Sequence, residues 1–170
     1  MKKVSNFTVV LYFVDPCSYG WRYLEHTGKC YKSEETPLTR PDAVLACKAA
    51  HPQAHLAIIP DETTNDFILS MVKIRSLIGL SKVSDEWLWE DGTKASYTNW
   101  MRRNPSGDGP SVEIIQKVWS GDIVPGQWND LPVDNDLYFN GGYVCQYDPK
   151  KQSSGKLSKI VDIYDIVFAM

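Results

Sequence analysis

Apolar positions recur first at helical spacing and then in short strand-like runs. From Arg40, the residues Ala43, Val44, Cys47 and Ala50 fall on one helical face, with Thr39 as the candidate cap and Pro41 suited to a first turn. This helix would hold Cys47 on its buried face. Pro60-Asp61-Glu62 is a second start signal, followed by a stripe of Phe67, Ile68, Met71 and Val72. These two short amphipathic helices are the only strong helical signals. Beyond Ile74 the chain reads as strand and loop. Residues 77–80 and 87–89 are short apolar segments, and Glu90-Asp91-Gly92 is a turn. Residues 93–125 are dominated by glycine, proline, serine and asparagine, interrupted by Val112-Glu113-Ile114-Ile115. A long irregular region inside a compact domain is functional or disordered, and Tyr97, Trp100 and Trp119 argue against disorder. Gly141-Gly142 then leads into a strand over residues 143–147, which would return Cys145 to the first helix.

The two ends differ from this pattern. Met1-Lys2-Lys3 is basic and residues 7–14 are apolar, as expected of a first strand or a truncated signal segment. Asn6-Phe7-Thr8 is a glycosylation sequon. Residues 150–156 form a polar linker, followed by an uncapped apolar stretch over 160–170 with no visible partner. The expected organisation is an N-terminal segment (1–16), one domain (17–148) and an unassigned tail (149–170). No stretch is long enough to span a membrane.

Composition narrows the function class. The chain has 170 residues, 43% hydrophobic and 23% charged, in the range of an ordinary globular domain. With a net charge of −3 and no basic stripe, it lacks the footprint of a nucleic-acid binder. No nucleophile–base pair or G-x-S-x-G element stands out, and Glu90-Asp91 reads as a turn, so an enzyme is not expected. His51 and His55 are four apart, but Pro52 interrupts any helix that would bring them to a metal. Six tryptophans and nine tyrosines exceed what the core requires, which points to a binding surface.

Cys17, Cys30, Cys47 and Cys145 fit no zinc spacing. Four cysteines allow three pairings, and sequence alone does not choose among them. A local Cys17–Cys30 link would contribute about 3 kcal/mol and a long-range Cys47–Cys145 link about 4–5 kcal/mol in the chain-entropy model. An oxidising, extracellular compartment is the better reading of four such residues.

Two motifs carry oxygen-rich chemistry. Trp128-Asn129-Asp130 sets an amide and a carboxylate side by side, and Asn104-Pro105-Ser106 flanks a proline with two short polar side chains. Calcium takes about six to eight oxygens, preferably including carboxylates, and two such loops would form half of a cage.

The order of motifs resembles the C-type lectin-like domain. The matching run is Cys17-x-x-Gly20-Trp21, Cys30-Tyr31, the helix with Cys47, His55-Leu56-Ala57-Ile58-Ile59, Asn65-Asp66-Phe67-Ile68 and Ile78-Gly79-Leu80. It continues with Trp87-x-Trp89-x-Asp91-Gly92, Tyr97-x-Asn99-Trp100, Trp128-Asn129-Asp130 and Val144-Cys145. The resemblance covers roughly residues 17–148. It implies an α+β fold of two short helices flanking antiparallel strands with a long loop region. It also implies the pairings Cys47–Cys145 and Cys17–Cys30. A second internal disulfide of most members is missing, its positions falling at Ser111 and Val133.

In sugar-binding members, calcium is held by a Glu-Pro-Asn or Gln-Pro-Asp tripeptide, a nearby glutamate and the Asn-Asp of the Trp-Asn-Asp motif. A cis proline turns its two neighbours toward one point. By that resemblance Asn104, Asn129 and Asp130 are the candidate calcium ligands, and Asn104, Ser106, Asp108, Asn129 and Asp130 the candidate sugar-binding surface. The family glutamate falls on Gly109, with Asp108 adjacent, so a calcium here would be bound weakly, in the range of roughly 10⁻⁴–10⁻³ M. Neither residue beside Pro105 is the acid whose placement separates mannose-type from galactose-type sites. The expected activity is weakly calcium-assisted binding of a glycan or glycoprotein by a secreted module. The alternative is a calcium-independent domain for a protein receptor.

Overall fold

The first helix, α1 (Arg40–Ala50), begins where the sequence places it because Thr39 satisfies the exposed backbone. Its hydroxyl accepts from Asp42 N–H (3.2 Å) and donates to the Asp42 carboxylate (2.9 Å). It ends at His51, whose extended backbone (φ −158°, ψ 130°) is the conformation favoured before a proline. Ala43 and Cys47 are buried, but Ala50 is exposed. The computed structural model describes residues 15–107, 109–117, 124–131 and 141–152. The N-terminal apolar run, Asp108, Trp119, Val133 and the apolar tail over 160–170 lie outside the described residues.

Helix α2 (Glu62–Leu69) starts on Asp61, whose carboxylate accepts from Thr64 N–H (2.8 Å) and Oγ1 (2.9 Å). It stops before Met71 and Val72, so that pair of the expected stripe packs from the following turn. Its buried face is Thr64, Asn65 and Ile68.

Eight strands build one sheet: β1 (Arg22–Leu24), β2 (Lys29–Glu34), β3 (His55–Leu56), β4 (Arg75–Val83), β5 (Glu86–Leu88), β6 (Ser111–Ile115), β7 (Trp128–Leu131) and β8 (Gly142–Tyr147). The main path runs β1-β2-β8-β4-β6-β7, with β3 on β8 and β5 on β4. Pairing is antiparallel except between β4 and β8, which run parallel with Leu77 opposite Tyr143. The expected α+β fold of two short helices with mostly antiparallel strands is therefore present, with this one parallel pair added. A short 3-10 turn (Pro149–Gln152) follows β8. Gly142 begins β8 where any Cβ would collide with the Glu34 carbonyl, so this close approach requires glycine.

The core has two parts. One gathers Tyr31, Ile59, Ile68, Ile78, Leu80, Ile114, Trp128 and Val144, and the other surrounds the Cys47–Cys145 disulfide with Trp21, Leu56, Leu77 and Tyr147. Cys17 bonds Cys30, tying the chain ahead of β1 to β2. Among the described residues no cysteine is free. Arg40 pins α1 to the sheet: its guanidinium donates to the carbonyls of Ile78 (2.9 Å), Gly79 (3.2 Å) and Leu80 (3.2 Å), and pairs with Glu90 at 2.6 Å. Glu90 therefore lies in the expected turn and also closes an ion pair. His51 stacks on Tyr147 at 3.8 Å, and the His55 Nδ1 donates to the Leu56 carbonyl (2.8 Å), so neither ring is presented to a shared ion.

Candidate functional site

Trp128 is the post on which the irregular region hangs. Its indole N–H donates to Asn65 Oδ1 on α2 (2.8 Å), and the rings of Trp89, Tyr97 and Trp100 meet it edge-on at 5.6–5.9 Å. Its backbone N–H donates to the Asn99 carbonyl (2.7 Å), and its carbonyl accepts from Met101 N–H (3.0 Å). Asn65 and Asn99 then both donate to the Gly126 carbonyl, at 3.1 and 2.9 Å. A buried asparagine thus bridges helix, loop and strand. The resemblance marks Asn65 only as part of a motif, and a polar amide on the buried face it shares with Thr64 and Ile68 is the signal that it has partners.

From this post the chain runs through Asn104-Pro105, whose peptide bond is cis, to Ser106 and Gly107. Here the loop meets Asp130, which is completely buried on β7. Asp130 Oδ1 accepts from Ser106 N–H (2.8 Å) and Ser106 Oγ (3.1 Å), while Oδ2 accepts from Gly107 N–H (2.8 Å). Burial pushes this carboxyl up, but those donated hydrogen bonds outweigh it and hold the group below the usual carboxylate range. Gly107 reaches the clasp with φ +84°, a left-handed backbone that a side chain would strain.

Asn129 takes a different partner. Its Nδ2 donates to Glu113 Oε1 (3.1 Å) on the neighbouring strand, where the two residues face each other in register. Glu113 is fully buried and also lies 3.3 Å from the Arg75 guanidinium. Burial pushes its carboxyl up to about 6, against the pull of Arg75 and Asn129. A carboxylate within the buried run of β6 is a sequence signal whose meaning emerges only once Asn129 is seen beside it. Asn104 sits two residues before the clasp, its Oδ1 shielded from solvent and without a donor among the described residues. Of the sequence-predicted surface, the structure brings Ser106 and Asp130 into contact, sets Asn104 next to them in the chain, and turns the Asn129 amide to Glu113.

The sequence-family model for the lectin C-type domain matches residues 36–147. The chain belongs to the C-type lectin domain family. This is a family of non-enzymatic binding domains. Lectin BRA-3 of Megabalanus rosa is 30% identical over 135 residues, 77% of this chain and 77% of that protein. Among solved structures, the cow CD23 carbohydrate-recognition domain, determined in the presence of a GlcNAc2Man3 oligosaccharide, is 27% identical with a TM-score of 0.60 over 76% of this chain and 94% of that one. A calcium-independent type II antifreeze protein has the same fold, at 26% identity and TM-score 0.62 over 76% of this chain and 92% of its own.

The family often binds calcium, but the residues described at this site do not fit that ion. Both oxygens of Asp130 accept from protein donors, Ser106 donates its hydroxyl to the same carboxylate, Gly109 offers no side chain, and Asp108 lies outside the described residues. Glu113 Oε1 is directed to Arg75 and Asn129, and its Oε2 is buried behind them without a donor among the described residues. Asn104 Oδ1 is left as a neutral ligand, far short of a hard-cation cage. Among the described residues no cluster of three acidic, histidine or cysteine side chains exists, and no helix is long and apolar enough to cross a membrane.

Proposed function

We propose that the protein is a glycan-binding lectin that works in an oxidising, extracellular setting through the surface formed by the 104–107 loop and β7. The observation that supports this reading is the tie of the loop to β7, where Ser106 and Gly107 donate to Asp130 beside Asn129 and just after the cis Asn104-Pro105 bond. Sugar hydroxyls need convergent amide and hydroxyl partners on a rigid support, and shape and direction of such groups fix ligand orientation. The cow CD23 domain, studied with an oligosaccharide, supports the reading by likeness, as does the lectin from Megabalanus rosa. Two disulfides support the extracellular setting.

A glycan array with the folded domain tests this. Selective signal is expected, and Asn129→Ala should lower it by about tenfold, the loss of roughly one well-placed hydrogen bond in a desolvated site. A blank array together with recovery of a defined protein partner would replace this reading with that of a protein-binding domain.

A further inference from the structure

We propose that the Asp130 carboxylate itself clamps the binding loop, taking the structural place that a bound calcium would hold, so that the loop is set and ligand is met without any cation. The inference rests on the glycan-binding reading for its ligand, but its structural half stands independently.

Three donors converge on one buried carboxylate from two successive residues of the loop. Two of them are main-chain N–H groups, so the contact fixes the backbone and not merely a side chain. Hydrogen bonds to an ionised acceptor are about twice as strong as neutral ones, and a fully buried carboxylate stripped of them would be costly to keep charged. A calcium approaching Asp130 would compete with the Ser106 and Gly107 N–H groups for the same two oxygens. Beyond Asp130, the family's cage would need charge from positions 104, 106 and 109, which here are Asn104, Ser106 and Gly109, the adjacent Asp108 lying outside the described residues. Glu113 is held behind Asn129 by Arg75.

The clamp leaves the Asn129 amide to meet a ligand directly. Asn129 donates its nitrogen to Glu113, and a planar amide anchored through its nitrogen points its oxygen to the other side. That oxygen is suited to a hydroxyl donor of a sugar with no ion between them.

Hydrogen exchange of the segment carrying Ser106 and Gly107 decides the structural half on the unaltered chain. Protection should be the same in millimolar calcium and in excess chelator, while Asp130→Ala should speed exchange of both amides about tenfold or more in either buffer, the loss of one hydrogen bond each. Calcium-dependent protection, or exchange unmoved by Asp130→Ala in a variant whose circular dichroism matches the parent, overturns the clamp. A glycan array run with calcium and with chelator decides the ligand half. Equal signals are expected, and signal abolished by chelator overturns cation-free contact while upholding glycan binding. A blank array in both buffers overturns the glycan-binding reading, and the exchange result then still decides the clamp.

Discussion

At the scale of single residues, two buried carboxylates with opposite electrostatics stand on adjacent strands. Asp130 is held below its ordinary range by the N–H groups it grips, whereas Glu113 is pushed up to about 6 by burial. The signs of their stability effects differ accordingly. An acid raised in the folded state binds its proton more readily there than in the unfolded chain. Glu113 therefore disfavours folding above about pH 6, and this penalty fades as pH falls toward its ordinary value of 4.5. Relative to Glu113→Gln, the parent should gain about 2 kcal/mol on going from pH 7 to pH 4.5, read from denaturant unfolding at the two pH values. Asp130 acts the other way. Its contribution is present above the ordinary carboxylate value of 3.8 and is lost as pH drops through its lower folded value. Truncating Asp130 to Ala should cost about 1–3 kcal/mol at neutral pH, since two part-buried N–H groups lose their charged acceptor. The sequence names Asp130 through its motif but not its grip. Which group a carboxylate meets depends on the path of a loop, and that path is written in no local pattern.

At the scale of elements, α2 matters to the site through one asparagine. Asn65→Leu keeps the volume of the side chain but removes the acceptor for the Trp128 indole and a donor to the Gly126 carbonyl. We expect a loss of about 2–4 kcal/mol in thermal or denaturant unfolding, with the array signal weakened by loosening of the 99–107 loop. Asn99→Ala, which removes the less buried of the two donors to Gly126, should cost about 1 kcal/mol. Helix starts were legible because Thr39 and Asp61 cap by a local rule, and β8 was legible from the Gly141-Gly142 pair that leads into residues 143–147. Helix ends were less so. Ala50 looks apolar and lies on the expected face, yet the turn to His51-Pro52 leaves it in solvent. The parallel β4–β8 contact escaped the sequence because strand direction depends on chain routing, which periodicity does not encode.

At the scale of the whole molecule, the two disulfides close loops of unequal size, with sequence separations of 13 and 98. Replacing Cys47 and Cys145 together by Ala should lower stability by about 4–5 kcal/mol, and replacing Cys17 and Cys30 by about 3 kcal/mol, in the chain-entropy account. Guanidinium unfolding of each double variant without reductant gives the comparison. If the shorter link proves the more important, the tie between the segment ahead of β1 and Tyr147, whose hydroxyl accepts from Ser18 N–H (2.6 Å), carries more of the fold than loop entropy allows.

The position of β8 has a consequence for how the chain comes into being. Among the described residues it is the last strand to be made, yet in the sheet it lies between β2 and β4 and also receives β3. A growing chain presents β1–β2 and the β4-β6-β7 group as separate edges with no strand between them. Synthesis proceeds from the N-terminus far more slowly than local structure forms, so the unfinished chain waits with apolar faces uncovered until residue 147 is free. Chains cut before residue 142 should be digested rapidly in pulse proteolysis, and those cut after residue 148 should resist. Folding of this domain is thereby confined to the moment after its own completion.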